Sequence, residues 1–302
     1  ECEVLFMIGS IFRLIKIEQM ENEEITMIHM ELCGDDEHDL KDLFDHMKSK
    51  YGGGNKEVNL RSFGQVLREM GKYDMAEKIF HRLLVELPPN DPLLSGLYWN
   101  LGIMTSDKAA YDSSLECFRK SLMIEEQKGS SNYQNIGNLY NCIGNVYRMK
   151  CESERALENY NKAIELYRNA NDEDHPNMAG FYNNIANVYY DQKKYTEALD
   201  FYKKSLAIRK QHLPSNHPDI ATSHNNIGNV YSDLNKYDLA MEHHQQSLQM
   251  NLKSLPGDHP DIARSYENIA AIHEKKREWK QALELFEKAL NIYQHAFSSQ
   301  HP

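Results

Sequence analysis

The chain is 302 residues long, 41% hydrophobic, and carries a formal net charge of −11. An acidic balance of that size disfavours binding to a phosphate backbone, and no run approaches the roughly 18 apolar residues a membrane helix needs, so neither nucleic acid nor a membrane is an expected partner. The cysteines, Cys2, Cys33, Cys117, Cys142 and Cys151, are odd in number and lack metal-ligand spacing, which fits the reduced thiols of a cytoplasmic protein.

The charge is concentrated at the front, where residues 1–55 hold 13 acidic and five basic side chains. Three short stretches rich in β-branched or aromatic residues, Glu3–Ile8, Ile11–Ile17 and Ile25–Leu32, predict strands, with Glu21-Asn22-Glu23-Glu24 as the turn between the second and third. Leu40, Leu43, Phe44 and Met47 then mark one amphipathic helix, and Gly52-Gly53-Gly54-Asn55 a flexible joint. Three strands and one helix are too little for an independent core. Residues 1–51 therefore read as a small β-rich remnant of an α+β domain, 52–55 as a linker, and the chain as a piece of something longer.

From residue 56 to 302 the grammar is periodic. His-Pro returns every 42 residues, at His175-Pro176, His217-Pro218, His259-Pro260 and His301-Pro302. In register with it run Asn141-Cys142-Ile143-Gly144-Asn145-Val146-Tyr147, Asn183-Asn184-Ile185-Ala186-Asn187-Val188-Tyr189 and Asn225-Asn226-Ile227-Gly228-Asn229-Val230-Tyr231. Extending the register backwards gives six units, starting near residues 56, 91, 133, 175, 217 and 259. A fixed period of this length marks a solenoid, whose units bury their apolar faces only against their neighbours.

Each unit reads as two antiparallel helices. In the fourth, Tyr182, Ile185, Ala186 and Tyr189 share one helical face, and Tyr195, Ala198, Leu199 and Tyr202 share another. Small residues occupy matching columns: Gly64, Gly102, Gly144, Ala186, Gly228 and Ala270 in the first helices, and Ala76, Ser114, Ala156, Ala198, Ala240 and Ala282 in the second. Small side chains at those places let two backbones approach, while Tyr and Phe fill the remaining space. Proline after histidine suits the first helical turn, where its missing N–H is no loss.

The pattern resembles the tetratricopeptide repeat, and His217-Pro218-Asp219-Ile220-Ala221 with Asn225 to Tyr231, repeated as His259 to Ala263 with Asn268-Ile269-Ala270, is similar to its 42-residue kinesin light chain type. The resemblance implies a mainly α fold, a right-handed superhelical solenoid whose inner groove takes protein or extended peptide segments. It places Asn141, Asn145, Asn183, Asn187, Asn225 and Asn229 in that groove, with Asn184, Asn226 and Asn268 one residue along. An asparagine offers one acceptor and two donors, so such columns can pair with an extended peptide; bridging between adjacent helices is the other use of the same amides. Some relatives grip a terminal carboxylate with groove cations; Arg264 stands at one such place, but Asn183 stands where the partner lysine is expected.

The opening Glu1-Cys2-Glu3-Val4-Leu5-Phe6 is similar to the Glu-x-Glu stretch of arginine-specific mono-ADP-ribosyltransferases. That resemblance implies an NAD-dependent parent enzyme in which Glu3 is catalytic, holding the ribose and stabilising the oxocarbenium-like transition state, while Glu1 engages the acceptor arginine. Residues i and i+2 of a strand share a face, so both carboxylates can address one site. The residues completing that family's NAD site lie before Glu1, so this segment alone is not competent. The alternative is a kinesin light chain-like adaptor with no enzymatic activity. No metal site is expected: the recurrent histidines sit a full repeat apart, and no His-Glu-x-x-His occurs.

Overall fold

A computed structural model describes residues 12–19, 26–32, 67–68, 73–129 and 132–298. The chain divides into two compact units, Glu1–Met104 and Thr105–Pro302.

In the first unit, strands β1 (Phe12–Gln19) and β2 (Thr26–Leu32) pair antiparallel, with Phe12 opposite Leu32, Gln19 opposite Thr26 and an irregularity between Leu14 and Lys16. These are the second and third expected strands, displaced by a residue or two. The strand expected at Glu3–Ile8, the helix around Leu40–Met47 and the glycine joint lie outside the described residues. Helix α1 (Tyr73–Glu86) buries Ala76 and Phe80 completely, and α2 (Leu94–Asp107) buries Leu97, Leu101 and Met104.

The second unit continues with α3 (Tyr111–Gln127), α4 (Tyr133–Met149), α5 (Ser153–Asn169), α6 (Pro176–Asp191), α7 (Tyr195–His212), α8 (Pro218–Asp233), α9 (Tyr237–Ser254), α10 (Pro260–Lys275) and α11 (Trp279–Ser298). Helices α4–α5, α6–α7, α8–α9 and α10–α11 form hairpins, and each second helix also packs on the first helix of the next hairpin. This is the stacked arrangement that the 42-residue period predicts. One hydrophobic cluster runs through three consecutive hairpins, taking in Ala186, Ala198, Tyr202, Ile220, Ile227, Val230, Ala240 and Ile272.

His175-Pro176, His217-Pro218 and His259-Pro260 each start a helix. The backbone N–H groups of Asn177, Asp219 and Asp261 donate to Nδ1 of His175, His217 and His259, each at 3.1 Å. The imidazole thus caps the helix as Asn or Asp usually does, with proline at the first helical position. The turn between the two helices of a hairpin is equally regular. Ala109, Cys151, Lys193, Asn235 and Arg277 adopt φ between 57° and 63°. In that left-handed conformation the N–H groups of Lys193 and Lys194 reach back to the carbonyls of Tyr190 and Tyr189, both at 2.8 Å, satisfying the end of α6.

The small-residue columns mark close approach, as expected. A Cβ at Gly144 would stand 2.5 Å from the Tyr160 ring, and one at Gly228 would stand 2.7 Å from the His244 ring. Ala156, Ala186, Ala198, Ala240 and Ala270 are fully buried, and so are the rings of Tyr160 and Tyr167. Burying a large side chain contributes about 1.5–3 kcal/mol, so these ring-into-gap contacts add to the buried Leu, Ile and Val in holding the stack.

Candidate functional site

On the first helices the asparagine columns meet one another. Nδ2 of Asn184 donates to Oδ1 of Asn141 at 2.9 Å, Asn226 to Asn183 at 3.1 Å, and Asn268 to Asn225 at 2.5 Å. Each bond joins a helix to the corresponding helix one hairpin on. The Asn184, Asn226 and Asn268 column therefore bridges neighbouring hairpins, one of the two uses its position allowed.

The second column is committed in another direction. The Tyr160 hydroxyl donates to Oδ1 of Asn145 at 2.7 Å, and the Tyr202 hydroxyl to Oδ1 of Asn187 at 2.5 Å. Burial pushes both phenols well above their ordinary range, so they stay protonated donors. In the α8–α9 hairpin His244 replaces the tyrosine, and its Nδ1 lies 3.2 Å from Oδ1 of Asn225 rather than reaching Asn229. In Asn141, Asn145, Asn183, Asn187 and Asn225 the side-chain oxygen is thus already an acceptor. All five residues are half-buried, and the bonds above leave their Nδ2 groups unused.

A cavity of about 320 Å³ opens beside Asn141, lined by Asn138, Asn177, Gly180, Arg209, His212 and Asp219 among others. Gly180 creates part of that space, because a Cβ there would meet nothing within 4 Å. The matching residues of other hairpins are Asn138, Thr222 and Arg264. Nη1 of Arg209 donates to the Asp219 carbonyl at 2.9 Å and to the Ser223 hydroxyl at 2.7 Å, tying the end of α7 to the start of α8. Burial pulls the Arg209 guanidinium below its usual range, and Asp219 partly offsets this.

Arg264 is held on its own helix: Nη2 lies 2.8 Å from Oδ1 of Asp261. Nδ2 of Asn268 is engaged by Asn225. Glu1 and Glu3 lie outside the described residues. Among the described residues no cluster of three or more His, Cys, Asp or Glu side chains can hold a metal, and no helix is long and apolar enough to cross a membrane. Sequence reading missed the Tyr–Asn and His–Asn pairs, although the matching 42-residue columns of Tyr160, Tyr202 and His244 carried the signal.

No curated protein matches the sequence. Among solved structures, BtubC (BKLC) from P. vanneervenii is similar over 82% of this chain and 95% of its own, at 17% identity and a TM-score of 0.63. A putative kinesin light chain repeat structure from Podosopora anserina matches over 70% of this chain and all of its own length (100%), at 18% identity and a TM-score of 0.56. The apo form of RapI matches over 85% of this chain and 72% of its own, at 18% identity and a TM-score of 0.58. Identities this low establish a shared fold. Tetratricopeptide repeat matches cover residues 60–94, 93–169, 135–211, 177–253 and 219–295. Successive hairpins that repeat every 42 residues, together with those matches, show that the chain belongs to the tetratricopeptide repeat family.

Proposed function

We propose that the first-helix face of Thr105–Pro302 holds an extended segment of a partner protein, in a scaffold or adaptor role, and that its asparagines present amide N–H donors to the segment's backbone carbonyls. The observation that carries this reading is the internal engagement of Oδ1 in Asn141, Asn145, Asn183, Asn187 and Asn225. With the oxygens committed, each amide is fixed in one orientation, and the face becomes a row of donors of a single kind. A groove of neutral donors suits main-chain pairing, with affinity on the order of micromolar. A reducing, cytoplasmic setting fits the free thiols of Cys142 and Cys151.

The double variant Asn183→Asp with Asn187→Asp tests it. Aspartate retains the acceptor oxygens used by Asn226 and Tyr202 but replaces the unused NH₂ by a carboxylate oxygen. Linear peptides selected on the wild-type chain from a random displayed library are expected to bind the variant about tenfold more weakly or worse, with thermal unfolding little changed. Equal affinity in calorimetric titration, on a folded variant, defeats the donor assignment.

A second reading draws on the antiparallel β1–β2 pair, which stands where the transferase resemblance expects closing strands after Glu1-Cys2-Glu3. In this reading residues 1–51 end a protein-arginine ADP-ribosyltransferase domain of a longer chain that uses NAD, with Glu3 catalytic, and the repeats select its protein target. Nicotinamide release from NAD by that longer chain should fall by orders of magnitude in Glu3→Gln; equal rates would remove Glu3 from the chemistry.

A further inference from the structure

The α8–α9 hairpin departs from its neighbours in one respect. Where α6–α7 packs Tyr182 against Phe201 and sets Tyr202 on Asn187, α8–α9 has His224, His243 and His244 at the matching positions. His224 is 2% exposed and His244 is 1% exposed. The rings of His224 and His243 lie 5.1 Å apart with Nδ1 facing Nδ1 at 2.9 Å, and Tyr231 packs on His243 at 5.5 Å. Nε2 of His224 is buried without a hydrogen-bond partner.

We propose that the α8–α9 hairpin is an acid-sensitive joint, in which protonation of the His224–His243–His244 cluster forces its two helices apart and uncouples α10–α11 from the hairpins before it.

The contact between His224 and His243 accommodates one proton. A second sets two N–H groups against each other at hydrogen-bond distance. A charged His224 also carries an N–H on Nε2, a buried donor with no acceptor. The surroundings compensate only in part: Glu242 faces the cluster from α9 and favours a charged His243, while burial and the cations Lys203 and Lys210 on α7 oppose it. From α8 comes Tyr231, and α10 brings the uncharged Asn268 to Asn225. The Asn225 oxygen accepts from both His244 and Asn268, so moving His244 disturbs the bond that links α8 to α10. Burial pulls His224 and His244 down to about 4 and lowers His243 as well. With folded values below the unfolded one, the unfolded state takes up protons first. The stability of the hairpin is therefore complete above about pH 6.5 and declines as pH falls toward about 4.

Hydrogen–deuterium exchange on the whole chain, at about pH 7 and about pH 4.5 and corrected for the intrinsic pH dependence of exchange, reads the joint directly without any bound partner. Amides of α8 and α9 are expected to lose protection by roughly tenfold or more relative to those of α4 and α5, a factor equal to one pKa unit of preference for the neutral form. His224→Tyr with His243→Phe and His244→Tyr, which installs the residues of the preceding hairpin, should abolish the difference. A uniform change along the stack, or the same loss in the triple variant, overturns the proposal. Should that variant fail to fold, the wild-type NMR titration decides: imidazoles that protonate fully while the α8 and α9 amide signals stay fixed rule the joint out.

Discussion

At the scale of single residues, the left-handed turn position carries a cost that the sequence tolerates at Ala109, Cys151, Lys193, Asn235 and Arg277. A side chain with a Cβ at φ near 60° is strained by about 1–2 kcal/mol, and Lys193 sits there exposed at φ 60°. Glycine removes the strain and gives back part of the gain through its freer unfolded chain. Lys193→Gly should therefore raise stability by about 0.5–1 kcal/mol in urea unfolding. Asn235 is the informative contrast. Asparagine tolerates this conformation, and Oδ1 of Asn235 accepts from the Tyr237 hydroxyl at 2.7 Å, so Asn235→Gly should bring no gain. An equal response at both positions would mean that turn strain is not what the substitution relieves.

At the scale of elements, periodicity made the helices and their buried faces legible. Ile185, Ala186 and Ala198 stand in the core where their spacing put them, and the small-residue columns mark the ring contacts. The asparagine face was legible only as a face. Spacing of i and i+4 says which amides share a side of a helix, not which amide meets which on the next. That depends on the register between successive first helices, and the observed partners lie 43 residues apart, one more than the period. No single unit contains that offset. The His224–His243 contact was hidden for a similar reason: it joins two helices, and His244 alone reads as a packing residue. Arg264 is the opposite case. Its i, i+3 relation to Asp261 was present in the sequence, and that local pairing holds the guanidinium on its own helix.

At the scale of the whole stack of Thr105–Pro302, each hairpin packs on its sequence neighbours, so stability is close to a sum of hairpin and nearest-interface contributions. Removing one full period should then leave a shorter stack whose remaining hairpins still pack on their neighbours. Deleting residues 217–258 brings α7 against α10, and the new contacts repeat the old ones in kind. Arg209 exchanges Asp219 and Ser223 for Asp261 and Ser265, and Asn183 meets Asn268 in place of Asn226. In the core the buried Ile262 and Ile269 stand in for Ile220 and Ile227, while Ile272 replaces Val230 with one extra methylene. Near-isosteric exchanges of this kind cost less than about 1.5 kcal/mol. The shortened chain should keep the same helical ellipticity per residue and a cooperative melt, with a urea slope reduced in proportion to the surface removed. Deleting half a period, residues 217–237, sets α7 directly against α9, with no first helix between them to carry the asparagine bonds or the small-residue column. That variant should lose helicity and cooperativity. If the two deletions behave alike, the hairpin is not the unit by which this stack is built.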